Sequence, residues 1–244
     1  MGRPDDHSFA LKLGDFLFRW RGYLPLVLLP VMVGAIAVSQ HPIRSRAIDL
    51  MWESGCVVLA LAGWAIRAYT VGVSAPGTSG RNTRRQKANS LNTTGPYSVV
   101  RHPLYLANSI IAFALALFSH AWIMPAVVVL VVPAYYACIA RREEHYLHER
   151  FGAQFDAWAA RVPGMIPAFR RFAPAERRFD RTSVMRRELY SLIVIFTMAL
   201  IIDLFEDFGE TGKLSVDPVW GTVASLAAVT FLVLRYARKR RRSA

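Results

Sequence analysis

Cysteine is scarce in this chain, which carries two, Cys56 and Cys138, among 244 residues. Both fall inside apolar segments. The sequence therefore holds neither a disulfide framework nor the Cys/His spacing of a metal site, and packing is the expected role of each. No glycine-rich strand-to-helix fingerprint for a dinucleotide occurs. Internal repeats and low-complexity tracts are missing, apart from a closing basic run at 238–242 that reads as an orientation signal and lipid-headgroup contact. Acidic residues are few, 17 against 30 basic ones. Charge is also sparse in the middle of the long apolar blocks, which counts against a transporter with charged or broken helices at mid-membrane.

Apolar residues are what the chain has in plenty, 54% of the total. They cluster into blocks long enough to cross a hydrocarbon layer of about 30 Å, which takes roughly 20 helical residues. The expected fold is all-α, a polytopic integral membrane protein with about six spans at 23–39, 51–73, 104–118, 121–140, 189–205 and 218–236. Spans three and four join through Ser119 and His120 as a tight helical hairpin. Span three is short, so its ends belong at the interface. This divides the chain into N-terminal spans (1–73), a core with two polar loops (74–188) and C-terminal spans with a basic tail (189–244). The motif "AIA" at 35–37 resembles a signal-peptide cleavage site. Pro25, Pro30 and the more than twenty mixed residues ahead of it favour a retained span.

A net charge of +13 in a soluble protein would point to nucleic acid, but here its distribution gives a different reason. Four basic residues lie in the N-terminal tail, five in 74–103, eleven in 141–187 and six at the C-terminal end, against three in the alternate loops. That asymmetry places both termini and both long loops in the cytoplasm, facing anionic lipid headgroups, with no nucleic-acid partner. Arg67 is the exception, inside span two, where snorkelling to the interface is expected. Glu53 and Asp203 fall near the outer ends of their spans, where solvation is expected. His7, His41 and His120 read as loop or interface residues.

Three polar passages flank spans three and four on the cytoplasmic side: 78–105, 141–152 and 161–167. In the first, Gly95-Pro96 marks a turn, and Pro103 suits a first helical position. The helix start beside Arg101 and His102 can serve as an anion site or simply as an anchored entry with Tyr97, Arg101 and Tyr105 at the interface. In the second, Leu147 and Phe151 follow Glu143 at four and eight residues, on one helical face, while Glu144 aligns with His148. A solvated run of alternating charge is the competing reading.

Taken together, "GPYSVVRHPLY", an apolar hairpin and "EEHYLHERFGAQFDAWAARVP" resemble the isoprenylcysteine carboxyl methyltransferase and phospholipid methyltransferase family. The pattern rests on Gly95, Tyr97, Arg101, His102, Pro103 and Tyr105, then Glu143, Glu144, Leu147, Phe151, Gly152, Phe155, Trp158, Val162 and Pro163. It covers about residues 82–167. The resemblance implies a membrane enzyme, in a bacterial inner membrane by the chain's composition, that uses S-adenosylmethionine, releases S-adenosylhomocysteine and needs no metal. By motif matching, Tyr97, His102, Pro103, Leu104 and Tyr105 would line the cofactor, with Glu143 opposite and with Asn89, Ser90, Leu91 and Asn92 contributing. Arg101, Arg142 and Glu144 are the catalytic candidates.

The isoprenylcysteine branch places an arginine four positions before the first glutamate, to hold the substrate carboxylate. Here that position is Ile139. The departure moves the expected acceptor from a prenylcysteine toward a membrane lipid or other lipid-linked group, either an amine or an anionic headgroup. An anionic oxygen needs no general base. An ammonium must first lose a proton, with Glu144 or His148 as candidates. The reading from a different class is a non-catalytic protein that binds anionic lipid through its basic face.

Overall fold

A computed structural model describes residues 24–39, 45–75 and 89–243, together with residues 16, 17, 19 and 78. His7, His41 and the loop stretch 81–88 lie outside the described residues. Among the described residues eight α-helices follow in order: α1 (Leu24–Val38), α2 (Arg46–Val73), α3 (Pro103–Phe118), α4 (Ile123–Phe151), α5 (Ala153–Ala159), α6 (Arg181–Arg187), α7 (Leu189–Thr211) and α8 (Pro218–Ser243). Short 3-10 turns occupy Gly95–Ser98 and Phe169–Arg171, and no strand occurs among the described residues.

Within those residues, four helices are long and apolar enough to cross a membrane: Arg46–Val73, Ile123–Phe151, Leu189–Gly209 and Pro218–Tyr236. Helix α3, with 16 residues, rises only about 24 Å at 1.5 Å per residue, short of a full hydrocarbon layer. Helix α1 has 15 residues and an internal Pro30.

Lipid is as apolar as leucine, so these helices associate through close packing rather than through exclusion of water. Small residues make that possible. Ala60, Ala107 and Ala114 are almost fully buried where α2 meets α3. A Cβ placed on Gly63 would stand 2.8 Å from Ile111 and 3.0 Å from the Ala107 carbonyl. Only glycine fits there. The wider core draws Tyr105, Phe118, Met124, Val132, Tyr136, Ile139 and Ile202 from α3, α4 and α7. Helix α8 meets α7 along an apolar groove of about 310 Å³ lined by Leu192, Ile193, Phe196, Val223 and Ala227. Its Leu226, Val229, Leu232 and Val233 stay exposed, as suits side chains facing acyl chains.

At the end of the bundle away from the polar loops, three sequence expectations need correction. His120 is buried, with a left-handed φ of 46°. Its Nε2 lies 3.0 Å from Asp49 Oδ1 and its Nδ1 lies 3.2 Å from Glu206 Oε1. Glu53 is 2% exposed and accepts a 2.7 Å hydrogen bond from Trp220 Nε1. Asp203 is buried and accepts from the Asp217 N–H at 3.3 Å. The start of α2, the α3–α4 turn, the end of α7 and the start of α8 converge here. Helix-end polar groups that sequence assigns to water therefore face one another.

Candidate functional site

The opposite end holds the chemistry. Helix α4 is continuous past its apolar part, which ends near Ala140, and carries the charged run 141–151 on further turns of the same helix. It stops at Gly152, whose backbone (φ 49°, ψ −125°) resists any L side chain even though nothing stands within 4 Å of an added Cβ. The chain reverses there into α5. Phe155 and Trp158 of α5 form a second small core with Val162, Leu147, Phe151, Leu91 and Tyr97. Trp158 Nε1 donates to the Tyr97 carbonyl at 3.0 Å.

The following segment is stitched along the loop before α3. Arg101 N–H donates to the Pro163 carbonyl at 2.8 Å and His102 N–H to the Gly164 carbonyl at 3.3 Å. Ala168 N–H donates to Val99 and Gly95 N–H to Ala173, each at 2.9 Å. The polar passage at 161–167 is thus a strap that fixes the backbone of Arg101 and His102. Asp180 anchors its far end. Its N–H donates to the Gly72 carbonyl, and its carboxylate caps α6 by accepting from the N–H groups of Thr182 and Ser183.

On this frame α3 and α4 bring the two halves of the motif together. His102 Nε2 lies 2.8 Å from Glu144 Oε1, and the Tyr105 hydroxyl donates to Glu143 Oε1 at 2.6 Å. A carboxylate only accepts, so Nε2 carries the proton and Nδ1 points toward Glu143 Oε2, 3.8 Å away. Arg101 Nε stands 3.3 Å from Glu144 Oε1 and, although buried, makes no hydrogen bond. The rings form a stack. His102 lies on Tyr105 with centroids 5.5 Å apart, and Tyr105 lies on Tyr136 at 4.6 Å, each pair within 18° of parallel.

Burial would raise the Glu144 carboxyl, but the His102 hydrogen bond and the charges of Arg101 and Arg141 outweigh it and hold the group below its ordinary range. Glu144 is therefore an anchored carboxylate. His148 stands one turn beyond Glu144 on the same helix, as the spacing implied, but its ring pairs with Asp156 at 2.8 Å rather than with Glu144. Tyr97 is half-buried. Loss of water around its hydroxyl pushes the phenol up to about 12, against a hydrogen bond with Ser74 that lowers it and a nearby Glu143 that raises it.

The other expected residues are placed unevenly. Pro103 is buried at the first turn of α3 and Leu104 beside it is half-buried. Leu91 belongs to the aromatic core beneath the loop. Asn92 turns back to the loop after α2, accepting from Ala75 N–H and donating to Thr78 Oγ1. Asn89 and Ser90 are exposed. Arg142 is half-buried one residue before Glu143, about 100° round the helix from it.

Sequence reasoning misplaced Arg67 and overlooked its partners. The guanidinium does not snorkel. It makes two hydrogen bonds to Glu188, at 2.7 and 3.0 Å, and a third to Asn108 Oδ1. Asn108 Nδ2 then donates to the Tyr136 hydroxyl at 3.0 Å. The signal was present: a cation within an apolar span implies a buried partner.

The phospholipid methyltransferase family model matches residues 51–154. The nickel-cobalt-cadmium resistance protein NccN of Alcaligenes xylosoxydans xylosoxydans is 28% identical over 121 residues, covering 50% of this chain and 56% of its own length. The chain thus spans little more than half of that relative. The cobalt-zinc-cadmium resistance protein CzcN of Cupriavidus metallidurans is 27% identical over 214 residues, covering 85% of this chain and 91% of its own. No solved structure matches. From α2 to the start of α5, residues 51–154, the chain matches the phospholipid methyltransferase family.

Proposed function

We propose that the protein is an integral membrane methyltransferase that uses S-adenosylmethionine on a lipid-borne acceptor. The observation that carries this reading is the pairing of His102 with Glu144 and of Tyr105 with Glu143, within the segment that matches the family. The donor set suits the cofactor. Arg101 offers a buried N–H without a hydrogen bond, which would hold the amino-acid carboxylate. Glu143 and the faces of Tyr97 and Tyr105 would hold a cationic centre. When bound, S-adenosylmethionine supplies a methyl group already activated on sulfur.

The chain's own task is then alignment and exclusion of water. The strap at 163–173 holds Arg101 and His102 in place, and Glu144 fixes the ring of His102 with Nδ1 available as a proton acceptor. An ammonium acceptor would lose its proton to that nitrogen, and a phosphate acceptor would need no such step. Ile139, fully buried in the core, offers no cation for a prenylcysteine carboxylate, so we favour a lipid headgroup. The finer arrangement we propose is six crossings in a bacterial inner membrane, with both termini and the strap cytoplasmic.

Calorimetry of the purified protein with S-adenosylhomocysteine tests the reading: micromolar to sub-millimolar binding is expected, and none at millimolar ligand sinks it. Glu143→Ala and His102→Ala should abolish transfer of a radiolabelled methyl group to extracted lipid while the proteins still fold. An amine acceptor gives a rate that rises with pH as the headgroup loses its proton. A phosphate acceptor gives no such rise.

The curated relatives are named for resistance to nickel, cobalt, zinc and cadmium. Carried to this chain, the reading is that methylation of an anionic headgroup oxygen removes a negative charge that attracts divalent cations to the membrane surface, which methylation of an ammonium would not do. Metal tolerance of cells should then follow methyl transfer and vanish with Glu143→Ala. Tolerance that persists in an inactive variant would separate the two.

A further inference from the structure

We propose that Arg67, held by Glu188, is a positioning residue for the methyl-transfer site, acting on Tyr105 and Glu143 through Asn108 and Tyr136. The inference rests on the methyltransferase reading. It extends the site to α7, outside the matched segment.

Each joint of this connection has one orientation. The Glu188 carboxylate is 2% exposed and receives Arg67 Nε at 2.7 Å, Arg67 Nη2 at 3.0 Å and Ser191 Oγ at 2.7 Å. Trp64 Nε1 donates to the Glu188 carbonyl at 3.0 Å, tying the first turn of α7 to α2. Arginine has no acceptor, so Asn108 must present Oδ1 to it, and its amide nitrogen then points at Tyr136. The Tyr136 hydroxyl accepts that bond at 3.0 Å, which fixes the tilt of its ring. Tyr105 lies against that ring at 4.6 Å and 14° and donates to Glu143 at 2.6 Å. Most of these groups are screened from water, where polar contacts are strong and a misdirected one is costly.

Packing of α7 would be served by the ion pair alone. The third guanidinium bond, into Asn108 and onward to the tyrosine stack, is what gives the pair a reach to Glu143.

A double-mutant cycle tests this, read by S-adenosylhomocysteine affinity with thermal unfolding as the check on folding. Asn108→Leu and Tyr105→Phe should each weaken binding about ten-fold, and together by little more than one alone, because both break the same connection. Asn108→Asp is the second variant. It keeps an acceptor for Arg67, and so the packing, but puts a second acceptor opposite Tyr136, whose hydroxyl must turn from accepting to donating and so change the tilt of its ring. It should fold with wild-type stability or better and still lose affinity. Wild-type affinity in Asn108→Asp, or additive losses of about a hundred-fold in the double variant, would overturn the proposal and leave the methyltransferase reading intact. A wild-type protein that does not bind the ligand would remove that reading, and this inference with it.

Discussion

His102 shows how one residue takes its role from neighbours far along the chain. Its ring is fixed by Glu144 across two helices, and its backbone N–H by Gly164. The Glu144 carboxyl sits below its ordinary value of 4.5 in the folded protein. The charged form is thus favoured by folding, and its contribution is complete above about pH 4.5. That contribution fades as pH falls through the lowered native value. Thermal unfolding in detergent across this acid range should show wild-type stability falling and Glu144→Gln less sensitive to pH. Equal slopes for the two proteins would contradict the assignment. Glu188→Ala is a harsher change, because it leaves the Arg67 cation buried with two of its three hydrogen bonds lost. A loss of about 3–5 kcal/mol is expected, against a small effect for an exposed carboxylate such as Glu149.

Among the elements, α2 and α3 are set by one contact. Gly63 lets them approach until a Cβ would overlap Ile111 and the Ala107 carbonyl. Gly63→Leu should force the helices apart and cost about 1–3 kcal/mol or more. It should also weaken cofactor binding, since α3 carries His102 and Tyr105 at its start. A variant with normal affinity and normal unfolding temperature would show that the contact is not tight. Helical spacing put Glu143, Leu147 and Phe151 on one face and Pro103 at a helix start, but it was the family resemblance, not the spacing, that made the two passages read as one site. What stayed hidden was orientation. Glu144 is drawn to His102, and His148 turns away to Asp156 because the chain reverses at Gly152 and brings α5 alongside. Spacing along α4 carries no record of that reversal. His120, Glu53 and Asp203 were misread for a related reason. Position near a span end implies water unless the ends of other helices cover it, and that covering is a property of the bundle.

The whole molecule separates two polar ends by an apolar middle, with the tyrosines and glutamates at one and the Asp49, His120 and Glu206 cluster at the other. Single cysteines placed on the exposed residues Arg161 and Lys213, with Cys56 and Cys138 replaced, test the proposed orientation. A membrane-impermeant thiol reagent added to intact spheroplasts should label position 213 and spare position 161, and the reverse pattern would invert the topology. The helical class and long spans were readable from apolar blocks alone. The link from α7 to the site was not, because Arg67 and Glu188 lie 121 residues apart and only the packed bundle joins them.

The strap adds a consequence for how the protein is made. Both halves of the sequence motif, His102 and the glutamates, have left the ribosome before Pro163 and Gly164, whose carbonyls take the Arg101 and His102 N–H groups. A nascent chain can therefore insert α2, α3 and α4 and still have no finished wall beside His102. On the proposed function, cofactor competence should switch on late in synthesis, once the residues around 173 emerge, leaving the young chain unable to react while its helices are still finding their places in the bilayer.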